Sequence, residues 1–98
     1  MFKLFLNNEE FELTFFNHQI SIKGNDKESN AMCNIKNKNN AFNVINNLTE
    51  TSITSFVVKN DNNVEIYNLN NINAHITNIN AYLNNDEVSL DITLTFEY

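Results

Sequence analysis

The carboxy-terminal third of the chain carries the clearest alternation of apolar and polar positions. Apolar residues take every second place there: Val88, Leu90, Ile92, Leu94 and Phe96. Such alternation is typical of a strand with one wet face and one dry face. Residues 72–83 alternate in the same way, but their apolar parity slips by one near Thr77 and Asn78, which predicts a β-bulge. With turn residues at 84–87, this region predicts a long antiparallel hairpin whose apolar face the preceding chain must cover.

The preceding chain predicts five more strands and one short helix. The strands are predicted at residues 2–6, 11–23, 31–36, 53–58 and 64–69. Ala41, Val44, Ile45 and Leu48 follow helical spacing, so residues 41–49 are predicted to form a helix capped by Asn39 or Asn40.

The connections are predicted from polar and turn-forming residues. The polar residues 24–30 contain the single glycine, and we expect a loop there, the most mobile segment of the chain. Asparagine accepts left-handed backbone better than other non-glycine residues. Asn-Asn pairs are therefore expected to close turns, including one at Asn70 and Asn71 that separates the strands at 64–69 and 72–83.

These elements define the expected fold class. Ninety-eight residues make one domain, residues 1–98, with room for one core. Seven short strands with short connections favour a mainly β (β-rich α+β) fold, either an antiparallel β-sandwich or a partly open barrel, with the helix over one open side. Strand parity places four rings in its core: Phe11, Phe15, Phe56 and Phe96.

Composition narrows the classes of partner. Twelve acidic residues against six basic ones give a net charge of −6, which argues against binding a nucleic-acid backbone, since that needs clustered Lys and Arg. The single cysteine, Cys33, excludes an internal disulfide. The apolar start of the chain breaks at Asn7, too early for a signal peptide or a membrane span. We expect a soluble protein made in a cytoplasm.

Candidate metal ligands and nucleophiles are few. His18 and His75 lack the short spacing that marks a metal site, so both are expected to be ordinary surface histidines, and no metal or cofactor is expected. Cys33 lies on a strand beside Met32, one of the two facing inward, and is expected to be a small buried side chain rather than a nucleophile. The turn at residues 61–65 lacks the glycine and distal glutamate of an EF-hand and is expected to be a plain hairpin turn.

Paired carboxylates are the remaining catalytic candidates. Glu10 and Glu12 share one strand face, and Asp86 and Asp91 flank the start of the last strand. No sequence feature predicts a cleft around either pair, so solvated side chains are expected. The chain is therefore expected not to be an enzyme, unless Glu10, Glu12 and His18 line one pocket.

Aromatic residues give the one signal that points to function. Several rings are hard to place inside so small a domain and are expected to face outward, where aromatics mark protein interfaces more often than inert surface. The candidate interface residues are Phe2, Phe5, Phe16, Tyr67, Tyr82 and Tyr98.

The second half resembles small structural proteins of bacteriophages. The segments that carry the resemblance are residues 51–58, 64–69 and 88–96, and the expected plan of an antiparallel sheet with one helix is similar to that of phage tail-tube, tail-terminator and neck proteins. The resemblance implies a virion component of the tail or neck that contacts copies of itself, as a homo-oligomer or ring, and other virion proteins. The alternative is a small acidic phage inhibitor that binds a host defence protein.

Overall fold

The alternating segments form one antiparallel sheet that closes on itself. A computed structural model describes residues 1–97, in which six strands and one helix are found. They are β1 (Phe2–Leu6), β2 (Glu9–Lys23), β3 (Asp26–Lys36), α1 (Ala41–Leu48), β4 (Ile53–Lys59), β5 (Glu65–Asn84) and β6 (Glu87–Phe96). The strands pair in the order β1-β2-β3-β6-β5-β4, and β4 pairs with β1 to close a barrel. The mainly β prediction is confirmed, with six strands in place of seven.

The structure has one strand fewer than predicted because the chain does not turn at Asn70 and Asn71. The predicted strands 64–69 and 72–83 form the single strand β5, so the predicted turn between them is wrong. Against β4, Ile53 faces Ala74 whereas Ser55 faces Asn70, so β5 holds two extra residues there. Asn71 has a φ of 58°. The left-handed asparagine therefore bends a continuous strand, because the chain on both sides of it finds partners in the sheet.

Strand β5 pairs with two neighbouring strands, one after the other along its length. Up to Ala74 it pairs with β4, and from Ala74 onwards it pairs with β6. The register against β6 shifts between Ile76 and Asn78, so the predicted bulge is confirmed. Asparagines also take left-handed backbone at the predicted turns, with positive φ at Asn7, Asn8, Asn39, Asn40, Asn63 and Asn85.

The β2–β3 hairpin is longer than its polar residues indicated. Residues 24–30 are not a loop, since β3 already begins at Asp26 and a tight turn at Gly24, with a φ of 60°, joins it to β2. The segment is polar because most of its side chains face solvent on both sides of a projecting hairpin. Ser29 is the exception, with a buried side chain.

A bulge in β2 reverses which of its side chains face the core. Leu13 faces Ile35 and Phe15 faces Asn34, so Thr14 is an extra residue. The prediction that Phe15 belongs to the core is therefore wrong: it is 60% exposed, whereas Phe16 packs against the core. Beyond the bulge Phe16 and His18 face inward, whereas Ile20 and Ile22, farther along the projecting hairpin, are exposed.

The core fills the barrel and reaches the helix. Phe11, Phe56 and Phe96 are buried, as predicted, and Ala41 and Ile45 of α1 join them. The predicted helix is confirmed, and Asn40, one of the two predicted caps, occupies the N-cap position, but its φ is 60° and its side chain makes no capping hydrogen bond. Instead the side-chain carbonyl Oδ1 of Asn37 accepts a hydrogen bond from the backbone N–H of Phe42 at 3.0 Å.

Candidate functional site

A cluster of aromatic rings closes one end of the barrel. Phe16 from β2 and Tyr67 from β5 have ring centroids 5.1 Å apart, and Phe56 from β4 lies 5.9 Å from Phe16 and 6.0 Å from Tyr67. His18 stacks on Phe96 at 4.8 Å. These five residues, here called the aromatic cluster, come from four strands and are brought together by the bulge at Thr14, which turns Phe16 and His18 inward.

His18 is the polar centre of this cluster. Its Nδ1 lies 2.5 Å from the hydroxyl of Tyr67, and its Nε2 lies 2.7 Å from the hydroxyl of Ser29. Ser29 is only 2% exposed, so its hydroxyl depends on His18 for a side-chain partner. The prediction of an ordinary surface histidine is therefore wrong for His18. The apolar run Phe15, Phe16 in front of it was the available signal, since two adjacent large apolar residues in an alternating strand indicate a change of parity.

The protonation states of this group follow from its burial. Desolvation lowers the pKa of His18 and raises the pKa of Tyr67, so the neutral imidazole and the neutral phenol are the stable forms together. A neutral imidazole donates one hydrogen bond and accepts another, and each hydroxyl can take either role. The arrangement can therefore pass a proton between two hydroxyls, but Ser29 is too deeply buried to meet a substrate directly.

An open cleft of about 350 Å³ adjoins the cluster. His18 and Phe96 border it, apolar side chains of Ile20, Leu69 and Ile72 line it, and Glu97 supplies one carboxylate. The cleft separates the projecting part of β2 from the first half of β5. Its lining suits an apolar guest more than a charged one.

The projecting part of β2 has an unpaired edge. Strand β1 ends at Phe2, which faces Leu13. Beyond that point, residues 15–23 pair with β3 on one side and have no strand partner on the other among the described residues. Ile20 and Ile22 on this segment are 52% and 64% exposed. We call residues 15–23 the open edge of β2.

A small apolar cavity lies beside the start of this edge. Its volume is about 130 Å³, and it lies where β1 would run if that strand extended beyond Phe2. Its lining residues are Phe2, Leu13, Thr14, Phe15, Phe16, Val58 and Ile66. Three of them, Phe2, Phe15 and Ile66, are among the exposed large apolar side chains. The cavity adjoins the open edge at Phe15 and Phe16.

The candidate interface residues differ in their exposure and in what they contact. Phe2 is exposed and borders the apolar cavity. Phe5 is partly buried, with the Lys59 ammonium 4.8 Å from its ring centroid. Phe16 and Tyr67 face inward in the aromatic cluster, contrary to the expected outward orientation.

The remaining two candidates lie elsewhere. The hydroxyl of Tyr82 accepts a hydrogen bond from Nδ2 of Asn34 at 2.6 Å, which ties it to the outer face of the sheet. Tyr98 lies outside the described residues.

The carboxylate candidates occupy another part of the surface. Glu10 and Glu12 line an open cleft of about 350 Å³ that the sequence did not predict. Lys38 Nζ lies 3.0 Å from Oε2 of Glu12, and this ion pair, with the nearby Lys36, lowers the pKa of Glu12. His18 borders the other cleft, so these three residues do not meet.

The other candidate metal ligands and nucleophiles have structural roles or make ordinary surface contacts. Cys33 is buried, as predicted, and burial raises its thiol pKa to about 12, while Met32 faces outward. His75 Nε2 lies 3.5 Å from a carboxylate oxygen of Glu97. The turn after β4 is a plain hairpin turn in which Asn60 Oδ1 accepts backbone hydrogen bonds from Asn62 and Val64.

Across residues 1–97, no three His, Cys, Asp or Glu side chains are grouped so as to hold a metal ion. None of the helices within the described residues is long and apolar enough to cross a membrane. No protein-family model, curated protein or solved structure matches the chain.

Proposed function

We propose that this chain is a structural component of a bacteriophage-type particle, placed in the tail or neck, and that it acts through protein–protein contacts. The observation that carries the proposal is the open edge of β2. A strand edge presents unpaired backbone N–H and C=O groups, which bind another strand with little regard to its sequence. A domain of this size gains from burying such an edge against a neighbour.

The apolar surface beside the edge supports the same role. Phe2, Phe15 and Ile66 surround a cavity whose lining is almost entirely apolar. Exposed apolar surface that continues into an unpaired edge is typical of protein contact sites. The net charge of −6 also suits a particle through which nucleic acid passes without binding to the protein.

The inhibitor alternative needs its acidic residues gathered on one face, with which it would occupy the nucleic-acid or partner surface of a host defence protein. Two of the carboxylates flank a lysine instead, since Lys36 Nζ lies 3.7 Å from both Glu12 and Glu87. We therefore carry the inhibitor only as an outcome of the experiment.

The experiment has two independent readouts. Mass spectrometry of gradient-purified particles should find the chain at a fixed stoichiometry that survives washing with salt. Size-exclusion chromatography with light scattering should find self-association of the purified chain that rises with concentration. If particles lack the chain and it instead elutes in a 1:1 complex with a host defence protein, the inhibitor reading replaces the proposal.

A further inference from the structure

The open edge of β2 carries few of the devices that natural proteins use to keep strand edges apart. Those devices are proline, charged side chains, β-bulges and very short strands, and here only the bulge at Thr14 and Lys23 are of this kind. Residues 15–23 contain no proline and no acidic residue, and the one charged residue among them is Lys23, at the far end. Both Ile20 and Ile22 are more than half exposed. An edge of this kind is expected to have a strand partner.

We infer that the partner is the same edge of a second copy, with residues 15–23 of the two chains pairing antiparallel about a two-fold axis at Gln19. Gln19 is the midpoint of the open edge, so this register alone pairs the edge over its whole length. The inference rests on the proposed assembly function and names the surface through which one copy contacts another.

The side chains are complementary in this register. On the face of β2 that carries Phe16 and His18, Phe16 meets the exposed Ile22 of the second copy, and His18 meets its exposed Ile20. On the outer face Phe15 meets Lys23, a pair that favours a cation–π contact, and Asn17 meets Ser21. Facing pairs of apolar residues are the stabilising unit of an antiparallel sheet.

The apolar cavity gives a second reason for this register. Phe16 lines the cavity of about 130 Å³. Because Ile22 of the second copy faces Phe16, its side chain is placed at the cavity, and the symmetry repeats this contact at the other end. Filling two apolar cavities adds buried area to the strand pairing.

Charge also favours the open edge over the rest of the surface. Two copies with a net charge of −6 repel one another. Pairing along residues 15–23 brings no carboxylate of either edge against the other. Strand β5 leaves two further edges without a strand partner among the described residues, 65–72 on the side away from β4 and 75–84 on the side away from β6. The first begins with the carboxylate of Glu65, and the second carries three asparagines.

The first experiment compares charged variants at two exposed sites. The double variant Ile20→Lys, Ile22→Lys places two lysines beside the axis of the dimer and two opposite Phe16, and should raise its dissociation constant by about a hundredfold or more. Leu83→Lys on β5 is the matched control, since Leu83 is 72% exposed and lies away from the open edge. Sedimentation velocity gives the dissociation constants, and far-ultraviolet circular dichroism verifies that both variants are folded.

The second experiment tests the register by cross-linking. Gln19→Cys places two thiols directly opposite each other, with Cα atoms about 5 Å apart, within reach of a disulfide. Ser21→Cys places them about 13 Å apart, which is too far. Oxidised glutathione should therefore link Gln19→Cys into a covalent dimer at least tenfold faster than Ser21→Cys. The native Cys33 does not interfere because it is buried.

The outcomes separate this inference from the proposed function. Dimers that Ile20→Lys, Ile22→Lys abolishes and Leu83→Lys leaves intact support the inference. Association that Leu83→Lys abolishes instead, or equal cross-linking of the two cysteine variants, overturns it while an assembly role stands. A chain that stays monomeric at millimolar concentration also overturns it, and the particle mass spectrometry then decides the proposed function separately.

Discussion

The imidazole ring of His18 lies on the phenyl ring of Phe96, with centroids 4.8 Å apart and planes inclined by 28°. His18 belongs to the projecting part of β2, whereas Phe96 ends the last strand of the barrel. Because His18 also bonds Ser29 on β3 and Tyr67 on β5, one side chain joins four strands. Its position fixes the projecting hairpin against the end of the barrel.

Removal of His18 should therefore destabilise the fold strongly. His18→Ala loses two hydrogen bonds and the ring contact and leaves the Ser29 hydroxyl buried without a side-chain partner, so we expect the free energy of unfolding to fall by about 2–4 kcal/mol. Tyr67→Phe keeps the ring and loses one hydroxyl, which should cost about 1 kcal/mol. Urea denaturation followed by circular dichroism measures both.

The double variant tests whether the two residues act together. If His18 and Tyr67 bond each other, the loss in His18→Ala, Tyr67→Phe should be smaller than the sum of the single losses by about 1 kcal/mol. Additive losses would contradict the contact.

Stability should decrease on mild acidification because of His18. Burial lowers the pKa of His18 below its ordinary value of 6.5, so the unfolded chain binds a proton at a higher pH than the folded chain does. The stabilisation is therefore complete above pH 6.5 and is lost as the pH falls towards the folded-state pKa. Urea midpoints measured between pH 8 and pH 5 should decrease over this interval.

His18→Gln identifies the residue responsible. Glutamine offers a donor and an acceptor but does not titrate in this range, so its midpoint should change less between pH 7.5 and pH 5.5 than that of the unmodified chain. An equal slope in both proteins would assign the effect to other groups. Glu12, whose pKa is lowered by Lys38, should contribute a separate loss of stability below pH 4.5.

Adjacent phenylalanines on β2 test the bulge at Thr14 directly. Phe16→Ala removes ring contacts with Phe56 and Tyr67 and should lower the free energy of unfolding by about 2–4 kcal/mol. Phe15→Ala, at a side chain that is 60% exposed, should cost less than about 1 kcal/mol. The two are matched in chemistry and differ only in the face they occupy, so a reversed order would contradict the bulge.

These two residues also show what the sequence could and could not predict. Strict alternation in β6 predicted its buried face correctly from Leu90 to Phe96. At the start of the strand the prediction is wrong, since Val88 is 42% exposed and Ser89 is buried. In β2 two rings stand side by side, and either could face inward. The bulge that decides between them depends on pairing with Ile35 and Asn34, residues about twenty positions away, which local periodicity does not contain.

Long-range pairing explains the missed site as well. His18, Ser29, Tyr67 and Phe96 are spread over most of the chain and share no spacing. The barrel brings them together because β2, β5 and β6 meet at one end. The open edge of β2 could not be predicted from the sequence either, because it exists only where β1 ends before its neighbour β2 does.

Asn71 offers the sharpest test of why β5 is one strand. Its φ of 58° is a left-handed conformation, which costs a branched residue about 1–2 kcal/mol more than it costs asparagine or glycine. Asn71→Val should therefore lower the free energy of unfolding by about that amount, and Asn71→Gly should leave it nearly unchanged. The neighbouring Asn70→Val is the control, because Asn70 is also exposed but lies outside the left-handed region, and valine there should cost less than about 0.5 kcal/mol. Equal effects of valine at both positions, measured by urea denaturation, would mean that the bend in β5 does not depend on the conformation of Asn71.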